Sequence, residues 1–403
     1  MAAPVPPPAK RKKEGPIRLE TSPLLPPAGW SDLPPDLVRR VADSLLATND
    51  LDWYMDYRAV CSGWRAATDD PRRAASDPRF RPRCWIVLEE VFMSERQEIH
   101  LVNTVTGRFL RKILPQLGDY HAVTATHSGY CVLAEKGARH AARVLNPLTG
   151  VVIRFAAPVP LDVGVADLTF PHGSSVRLAV FCDSSRKAYS AAPHSKRFVR
   201  YKHKQQSAFD YFRKAVVGGA YASLSELSVV RELMISLGKF LNYRVSTKVF
   251  SVDRPGHGYA IRCFLVDLDG DIGIVLKFLN AHEAHSLFAL QFDTDTGKLW
   301  RVKTTGRFAI FIGDHRCFSV DVDKFPGTEA DCVYYTEHLG SSAHICKCNI
   351  RDNKIERIYE ATDFVKQDKK FVLVADRPHT IIHFLSSYTI NTPDSQLALQ
   401  QIS

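Results

Sequence analysis

Two short clusters of histidine, cysteine and carboxylate residues are the candidates for metal chemistry in this sequence. His344, Cys346 and Cys348 alternate, so a β-strand would turn all three side chains to one face, but no second set of ligands accompanies them. Alternation in a half-buried strand explains them more simply. His282 and His285 flank a glutamate at a spacing of three, where a zinc-protease helix needs four. We therefore predict neither a metal nor any other cofactor.

No other pattern supports catalysis. The acidic stretch DLDGD at 267–271 is similar to the start of a calcium loop, but its glycine comes too early and Phe278 occupies the place of the closing glutamate. A tight Asp-Gly hairpin turn is the better interpretation. The sequence lacks a G-x-S-x-G elbow, a Walker loop and a dinucleotide-binding fingerprint. We expect a non-catalytic protein.

Basic residues are concentrated in two places, in a chain with 53 Lys and Arg against 43 Asp and Glu and a net charge of +10. One run is typical of a nuclear import signal and equally of a solvated tail: Lys10, Arg11, Lys12 and Lys13. The other interleaves with Phe198 and Tyr201 and comprises Lys196, Arg197, Arg200, Lys202, His203 and Lys204. It predicts either a nucleic-acid contact or a strand edge protected by charge. A nuclear regulator that binds nucleic acid is therefore the alternative function.

Composition also bounds the compartment. No apolar run approaches the roughly 18 residues that span a bilayer, and the N-terminus has no apolar signal-peptide core. The nine cysteines are scattered and odd in number, which fits reduced thiols better than a disulfide framework. We expect an intracellular protein of the nucleus, the cytoplasm or both, without membrane contact.

Residues 30–71 have the signals of two or three short helices. Ser31 and Asp32 suit an N-cap, Pro34 and Pro35 fit a first helical turn, and residues 49–50 offer a second cap. Apolar residues follow at helical spacing in two stripes: Leu37, Val38, Val41 and Leu45, then Tyr57, Val60, Cys61 and Trp64. The preceding residues 1–29 are rich in proline and charge, and we predict them to be disordered.

From residue 80 to 390 the sequence predicts short strands joined by turns. Three hairpin turns end in Thr-Gly and align as residues 103–107, 146–150 and 293–297, and a fourth has Asn353 in the glycine position. The first two glycines are 43 residues apart, close to one four-stranded propeller blade. We predict a β-propeller of six or seven blades with a helical insertion near 224–241, followed by a C-terminal tail at 391–403.

The opening helices resemble an F-box. The pattern of that motif is Leu-Pro, an aliphatic helix, an acidic cap, and a helix with Val-Cys and Trp-Arg. This sequence has Leu33-Pro34, the aliphatic stripe, residues 49–50, and the segment RAVCSGWRAA. The fold class implied by the whole is a small all-α F-box at 30–71 followed by a large all-β domain.

The rest of the chain resembles the kelch-like propeller of a large plant family of F-box proteins, the domain of unknown function 295. The similarity lies in DPRFRPRCWIVLEE, NPLTGVVIRF, RKAVVGGAYA and FIGDHRCFSVDVDKFPGTEADCVYYTEH. That resemblance implies the substrate-recognition subunit of an SCF-type E3 ubiquitin ligase. Its F-box would dock on a Skp-type adaptor of a cullin-RING ligase, and its propeller would bind a target protein for ubiquitination.

A helical unit of about forty residues is too small to bury a core alone, so its apolar stripes need another surface. Helices with Leu, Val and Trp anchors suit an interface with a partner protein. The predicted adaptor-binding residues are Leu33, Pro34, Leu37, Val38, Val41, Leu45, Val60, Cys61 and Trp64. The sequence leaves open which of them face the adaptor and which lie inside the unit.

Overall fold

The structure is a computed structural model, and it describes only part of the chain. The described residues are 29–74, 77–88, 97–126, 128–137, 139–170, 176–182, 187–200, 212–217, 220–227, 232–239, 242–251, 260–268, 271–279, 286–293, 296, 298–313, 316–367, 370–374 and 377–391. The predicted tails therefore lie outside the described residues, apart from Gly29 and Asn391. No helix in the described ranges is long and apolar enough to cross a membrane.

Short helices open the described chain, as the helical spacing and the proline signal predict, but Ser31 and Asp32 lie in a 3-10 turn and do not cap the helix that follows. A 3-10 turn at Trp30–Asp32 leads into the following helices: α1 Pro35–Ala47, α2 Leu51–Ala59 and α3 Ser62–Ala67. Pro35 occupies the first helical position, where its missing N–H costs nothing. Asp50 precedes α2 without a side-chain cap hydrogen bond, while the Cys61 Sγ accepts from the Trp64 N–H at 3.4 Å and caps α3. We call residues 30–67 the helical unit.

Six sheets follow in the described ranges. Four of them are four-stranded and pair their strands in chain order, as propeller blades do. These four are β4 Tyr120–Ala125, β5 Cys131–Glu135, β6 Ala141–Leu145 and β7 Val152–Pro158; β8 Val163–Thr169, β9 Arg177–Cys182, β10 Lys187–Ala191 and β11 Val199–Arg200; β12 Phe212–Val217, β13 Ala220–Leu227, β14 Glu232–Lys239 and β15 Asn242–Ser251; β16 Ala260–Leu268, β17 Asp271–Leu279, β18 Ser286–Phe292 and β19 Leu299–Val302.

The first and last sheets depart from this form. The first has three strands: β1 Trp85–Leu88, β2 Glu98–Asn103 and β3 Phe109–Ile113. The last has seven: β20 Phe308–Ile312, β21 Cys317–Asp321, β22 Cys332–Leu339, β23 Ser342–Asn349, β24 Ile355–Arg357, β25 Phe364–Gln367 and β26 Lys370–Leu373. Four blades of four strands thus replace the six or seven that we predicted. The count was wrong because the last sheet continues through a parallel β20–β22 pair instead of starting new blades.

The predicted hairpin turns are present at the predicted positions. In each, the N–H of the first turn residue donates to the carbonyl five residues later, at 2.8–3.0 Å, in the pairs 103/108, 146/151, 293/298 and 349/354. Gly107, Gly150 and Asn353 all have positive φ, at 72°, 72° and 56°. Asn therefore replaces Gly in the fourth turn as predicted. Gly297 of the third turn lies outside the described residues.

The predicted helical insertion near 224–241 is wrong, because the chain there forms β13 and β14. The segment ELMISLGK alternates Leu233, Ile235 and Leu237 with Met, Ser and Gly, so it fits a strand's period of two as well as a helical stripe. Antiparallel pairing with β13 on one side and β15 on the other satisfies the backbone hydrogen bonds of this segment, so it forms a strand and not a helix.

Hydrophobic clusters join several neighbouring sheets of the described part of the chain. One cluster spans β4–β7 and β8–β10, a second spans β16–β19 and the last sheet, and a third joins the last sheet to the first. That third cluster contains Ile86 and Val102 from the first sheet and Phe311 from β20. A C-terminal helix, α4 Ile381–Ile390, adds Leu385 and Tyr388 to it. Side-chain packing therefore joins the first sheet to the last, together with a helix that the all-β prediction did not include.

Candidate functional site

The helical unit is fixed to the propeller by one of its faces. Ala42 and Leu46 of α1 and Leu51 and Tyr54 of α2 are buried in a cluster with residues of the first two sheets. Trp85, fully buried at the start of β1, is the largest of those residues. One apolar stripe of the unit, displaced by one residue from the predicted stripe, thus packs against the chain's own propeller.

Asn49 connects the unit to the propeller through hydrogen bonds. Its side-chain amide donates to the Arg81 carbonyl at 2.8 Å and its side-chain oxygen accepts from the Cys84 N–H at 3.1 Å. Its backbone carbonyl accepts from the Trp85 indole N–H at 2.7 Å. Asn49 is fully buried with a φ of 58°, a conformation that asparagine tolerates better than most residues. Predicted as part of a helix cap, it instead links α1, α2 and β1.

Charged groups add to the same junction. The Arg108 guanidinium, from the turn after β2, pairs with the carboxylates of Asp50 and Asp52 at the start of α2. It also lies 4.0 Å from the centre of the Trp53 ring. Both carboxylates are buried, so the ion pairs compensate a desolvation cost that unpaired charges would not recover. The unit and the propeller therefore form one packed and hydrogen-bonded junction.

The opposite face of the unit leaves apolar side chains in solvent. The exposed fraction is 39% for Leu37 and 45% for Val41, which lie one helical turn apart on α1, and 59% for Val60 after α2. Pro34 is exposed before α1, and Trp30 is 80% exposed. We call Trp30, Pro34, Leu37, Val41 and Val60 the outer apolar set.

The nine predicted adaptor-binding residues divide between the two faces. Four are exposed: Pro34, Leu37, Val41 and Val60. Three are partly buried: Leu33, Leu45 and Cys61. The structure places the remaining two inside the unit: Val38 and Trp64.

The burial of Val38 and Trp64 has a direct structural cause. The Trp64 ring packs against Tyr57 with centroids 4.3 Å apart, and its indole N–H donates to the Trp30 carbonyl at 3.2 Å. The Tyr57 hydroxyl donates to the Val38 carbonyl at 3.1 Å. These two predicted contacts are therefore internal supports of α1. Trp30, which is exposed just before the proline-started helix, was not among the predicted residues.

The basic clusters are only partly described. Lys196, Arg197 and Arg200 are exposed at or next to β11, the edge strand of its sheet. Positive charge at a strand edge opposes pairing with another strand, which is the simpler of the two predicted readings. Lys202, His203, Lys204 and the N-terminal run at 10–13 lie outside the described residues. Nucleic-acid binding stays a prediction.

A buried polar cluster lies between β22 and β23, on the face toward β17. Glu337 pairs across the ladder with His344, and Tyr335 pairs with Cys346. The potential ligand atoms of Glu337, His344 and Cys346 all lie within 4.8 Å of one another. Lys277 of β17 places its ammonium 3.3 Å from Glu337 Oε1 and 3.8 Å from the centre of the Tyr335 ring.

Burial governs the protonation of this cluster. It raises the pKa of the Cys346 thiol to about 12, an effect to which the Glu337 charge adds, so the thiol is protonated at neutral pH. It lowers the pKa of Lys277, a shift that the Glu337 carboxylate opposes. Of the three residues considered as ligands in the sequence, His344 and Cys346 lie close together in the structure. Cys348 does not join them, and the third group of the cluster is Glu337 from the neighbouring strand. His282 and His285 lie outside the described residues.

Solved structures have only a distant likeness to this chain. Similar chains include TolB from Acinetobacter baumannii, at 13% identity over 67% of this chain and 61% of that one, with a TM-score of 0.34. The WD40 domain of SCAP from fission yeast matches at 13% identity over 73% and 66%, with a TM-score of 0.32. The chain thus spans less than two thirds of the length of each. At these scores the likenesses support no functional argument.

The family is shown by a profile match. Among curated proteins, none matches the chain. A family profile described as the KIB1-4 beta-propeller matches residues 68–360, which is more than half of the sequence and includes all four complete blades. The matched region begins where the helical unit ends and stops before the C-terminal helix α4. The chain therefore belongs to the KIB1-4 beta-propeller family.

Proposed function

We propose that this protein is the target-binding subunit of an SCF-type ubiquitin ligase. The helical unit docks on a Skp-type adaptor, and the propeller binds the protein to be ubiquitinated. The observation that supports the proposal most strongly is the outer apolar set, which leaves an F-box-like helical unit with an uncovered apolar face after its other face is packed. The propeller of the family fits a protein-binding role in the same assembly.

The geometry of the unit suits docking through α1. Leu37 and Val41 follow one another by four residues, so their side chains are neighbours on one side of the helix. A run of this kind is the pattern by which an amphipathic helix enters an apolar groove. The junction at Asn49 fixes the unit on the propeller, so a bound adaptor would hold the propeller in a defined direction. Such rigidity serves a receptor that must present a target to another subunit.

In this proposal the protein itself performs no catalysis, because transfer of ubiquitin belongs to other subunits. No cofactor is required for adaptor or target recognition. The site of action would be the nucleus, the cytoplasm or both. The F-box and domain-of-unknown-function assignments rest on the sequence motifs, and the nature of the target is left to the propeller's surface loops, since a fold does not define its ligand.

The adaptor contact is tested by charge substitution on the outer face. Val41→Asp places a carboxylate in the apolar face, and valine and aspartate have similar helix propensities, so α1 itself is little affected. We expect binding to a purified Skp-type adaptor to weaken at least tenfold, about 1.4 kcal/mol. The measurement is a pull-down followed by titration calorimetry with the full chain.

Val105→Asp is the matched control. Val105 is 47% exposed in the turn between β2 and β3, close to the 45% of Val41, but it belongs to the propeller. This variant should bind the adaptor as the wild type does. Equal binding by wild type and Val41→Asp, or equal loss in both variants, would refute the docking proposal.

A further inference from the structure

The buried cluster of Glu337, His344 and Cys346 combines three chemical groups that the proposed adaptor docking does not use. It lies between two sheets, with Cys346 and Tyr335 in the apolar cluster that joins β16–β19 to the last sheet. A carboxylate, an imidazole and a thiol in one buried place are the three ligand types that bind zinc. The cluster is independent of the outer apolar set, and nothing in the proposed ligase function uses it.

Pairing register, not sequence proximity, brings these groups together. Glu337 stands directly opposite His344, and Cys346 follows His344 by two residues on the same face of β23. Neighbouring rungs of a ladder thus supply all three groups from two rigid strands. Cys348 lies a further rung away, on the far side of Cys346 from Glu337.

An unsatisfied polar atom marks the same place. His344 is 1% exposed, yet its Nδ1 has no hydrogen-bond partner in the described part of the chain. Its Nε2 lies 3.4 Å from Glu337 Oε2, at ion-pair distance. Buried polar atoms normally have partners, and an exception calls for an explanation such as a bound ion. The exposed quarter of the Glu337 side chain gives such an ion a path from solvent.

We propose that Glu337, His344 and Cys346 bind a divalent transition metal, with Zn²⁺ as the ion that best suits this ligand set. The three ligands leave a fourth coordination position for water. Binding expels the Cys346 proton to solvent, so that the thiolate becomes the sulfur ligand.

The distances and charges of the cluster fit this assignment. Metal–ligand bonds of about 2.0–2.3 Å place tetrahedral ligands about 3.5 Å apart, so ligand atoms now within 4.8 Å need to approach by about an ångström. Glu337 already divides its oxygens, with Oε1 toward Lys277 and Oε2 toward His344. The ion would occupy the Oε2 side. A thiolate and a carboxylate neutralise the dication, and Lys277 keeps its contact with Oε1.

This inference departs from our prediction of no metal. In the sequence, His344, Cys346 and Cys348 stood as possible ligands on one strand, and no further ligand accompanied them. The missing ligand is Glu337, which lies only seven residues from His344 but belongs to β22, and the sequence does not define which residues two strands place opposite each other. The fold thus supplies a ligand set that the sequence pattern lacks.

Cobalt binding tests the site directly. Co²⁺ replaces Zn²⁺ in such sites and reports a sulfur ligand by a thiolate-to-cobalt charge-transfer band. We expect the purified full chain, stripped of metal with a chelator, to take up one Co²⁺ with this band and to release it on addition of Zn²⁺. Cys346→Ser should remove the band. Cys348→Ser, on the same strand and face, should retain it.

A second variant separates metal loss from misfolding. Glu337→Gln keeps the size of the side chain at a partly exposed position and removes the anionic ligand. We expect it to weaken Zn²⁺ affinity at least tenfold, because even groups that only support a ligand are worth about 10–100-fold. Zn²⁺ should also raise the melting temperature of the wild type and of Cys348→Ser but not that of Glu337→Gln, since a ligand stabilises the state that binds it.

Three results would overturn the proposal. Absence of stoichiometric metal uptake by the wild type would show that these three groups do not form a metal site. A charge-transfer band that survives in Cys346→Ser would place the metal on other cysteines. Equal Zn²⁺ affinity of Glu337→Gln and wild type would remove the carboxylate from the site. Adaptor binding by Val41→Asp is unaffected by any of these outcomes, so the two proposals fail separately.

Discussion

Single buried polar residues determine how the parts of this protein are joined. Asn49 satisfies the backbone groups of Arg81 and Cys84 with one side chain, and its own carbonyl binds the Trp85 indole. The sequence identified Asn49 only as a capping residue, because its three partners lie more than thirty residues further along the chain. The local sequence pattern therefore predicted that Asn49 lies between two helices but not that it connects them to β1.

His383 is a second buried polar residue with a testable consequence. Its Nε2 lies 3.1 Å from Asp363 Oδ2, and its Nδ1 accepts from the Thr380 N–H at 3.1 Å. Burial lowers the pKa of His383, an effect that Asp363 opposes and that Arg377 and His379 reinforce. The folded protein thus binds this proton less readily than the unfolded chain does. The free energy of unfolding should fall as the pH drops below about 6.5, and it is unaffected by this group above that pH.

The measurement is urea unfolding of the wild type and His383→Gln at about pH 7 and pH 5. The variant should be less stable at the higher pH, by about 1–3 kcal/mol for the lost buried hydrogen bonds, and should lose less stability on acidification. His194→Gln, at an exposed position, is the control and should follow the wild type. A steeper pH dependence in His383→Gln than in the wild type would contradict the assignment.

At the scale of elements, the hairpin turns show what the sequence can predict. Turn geometry depends on a few adjacent residues, so turns that begin at Asn or Asp and end at Gly or Asn were predicted at the correct positions. The helix predicted near 224–241 is wrong because the apolar residues there fit both periods, and pairing with neighbouring strands decided the outcome. The faces of α1 were inseparable for the same reason, since the propeller determines which stripe is buried.

Two glycines in equivalent turns provide a matched pair. Gly107 and Gly150 both have φ near 72°, which costs an alanine about 1–2 kcal/mol. A Cβ at Gly150 would meet nothing within 4 Å, whereas at Gly107 it would lie 2.1 Å from the Lys324 carbonyl oxygen. Gly107→Ala should therefore destabilise the protein by about 1–3 kcal/mol more than Gly150→Ala, because the turn at Gly107 must move away from Lys324 to admit the methyl group.

Chemical denaturation of the two alanine variants measures this difference. The comparison isolates the contact between the first and last sheets, because the backbone strain is common to both. Equal destabilisation by the two substitutions would show that the turn at Gly107 does not press against the last sheet.

For the whole molecule, the sequence predicted the order of a helical unit and a β domain but not how the two combine. The blade count failed because the last sheet has seven strands and the first has three, and a spacing measured between the turns of the first two sheets does not extend to the last sheet. Four of the nine predicted docking residues are exposed, three are partly buried, and Val38 and Trp64 lie inside the helical unit.

Removal of the helical unit should destabilise the propeller. Leu46, Leu51 and Tyr54 share a cluster with Trp85 and residues of the first two sheets, so deletion of residues 1–71 exposes that apolar surface to water. We expect the truncated protein to aggregate or to melt at a lower temperature, as measured by size-exclusion chromatography and calorimetry. Deletion of residues 1–28 is the control and should leave both unchanged. A stable, monomeric propeller after the larger deletion would contradict the packed junction.

Hydrogen exchange of the full chain, with and without a purified Skp-type adaptor, tests whether the helical unit is the docking surface. A docked adaptor excludes water from the face it covers and slows amide exchange there. We predict slower exchange in Pro35–Ala47 and around Val60, with no change in the β-strands of the propeller. Slower exchange confined to the propeller, or no change anywhere at saturating adaptor, would show that the adaptor does not dock on the helical unit.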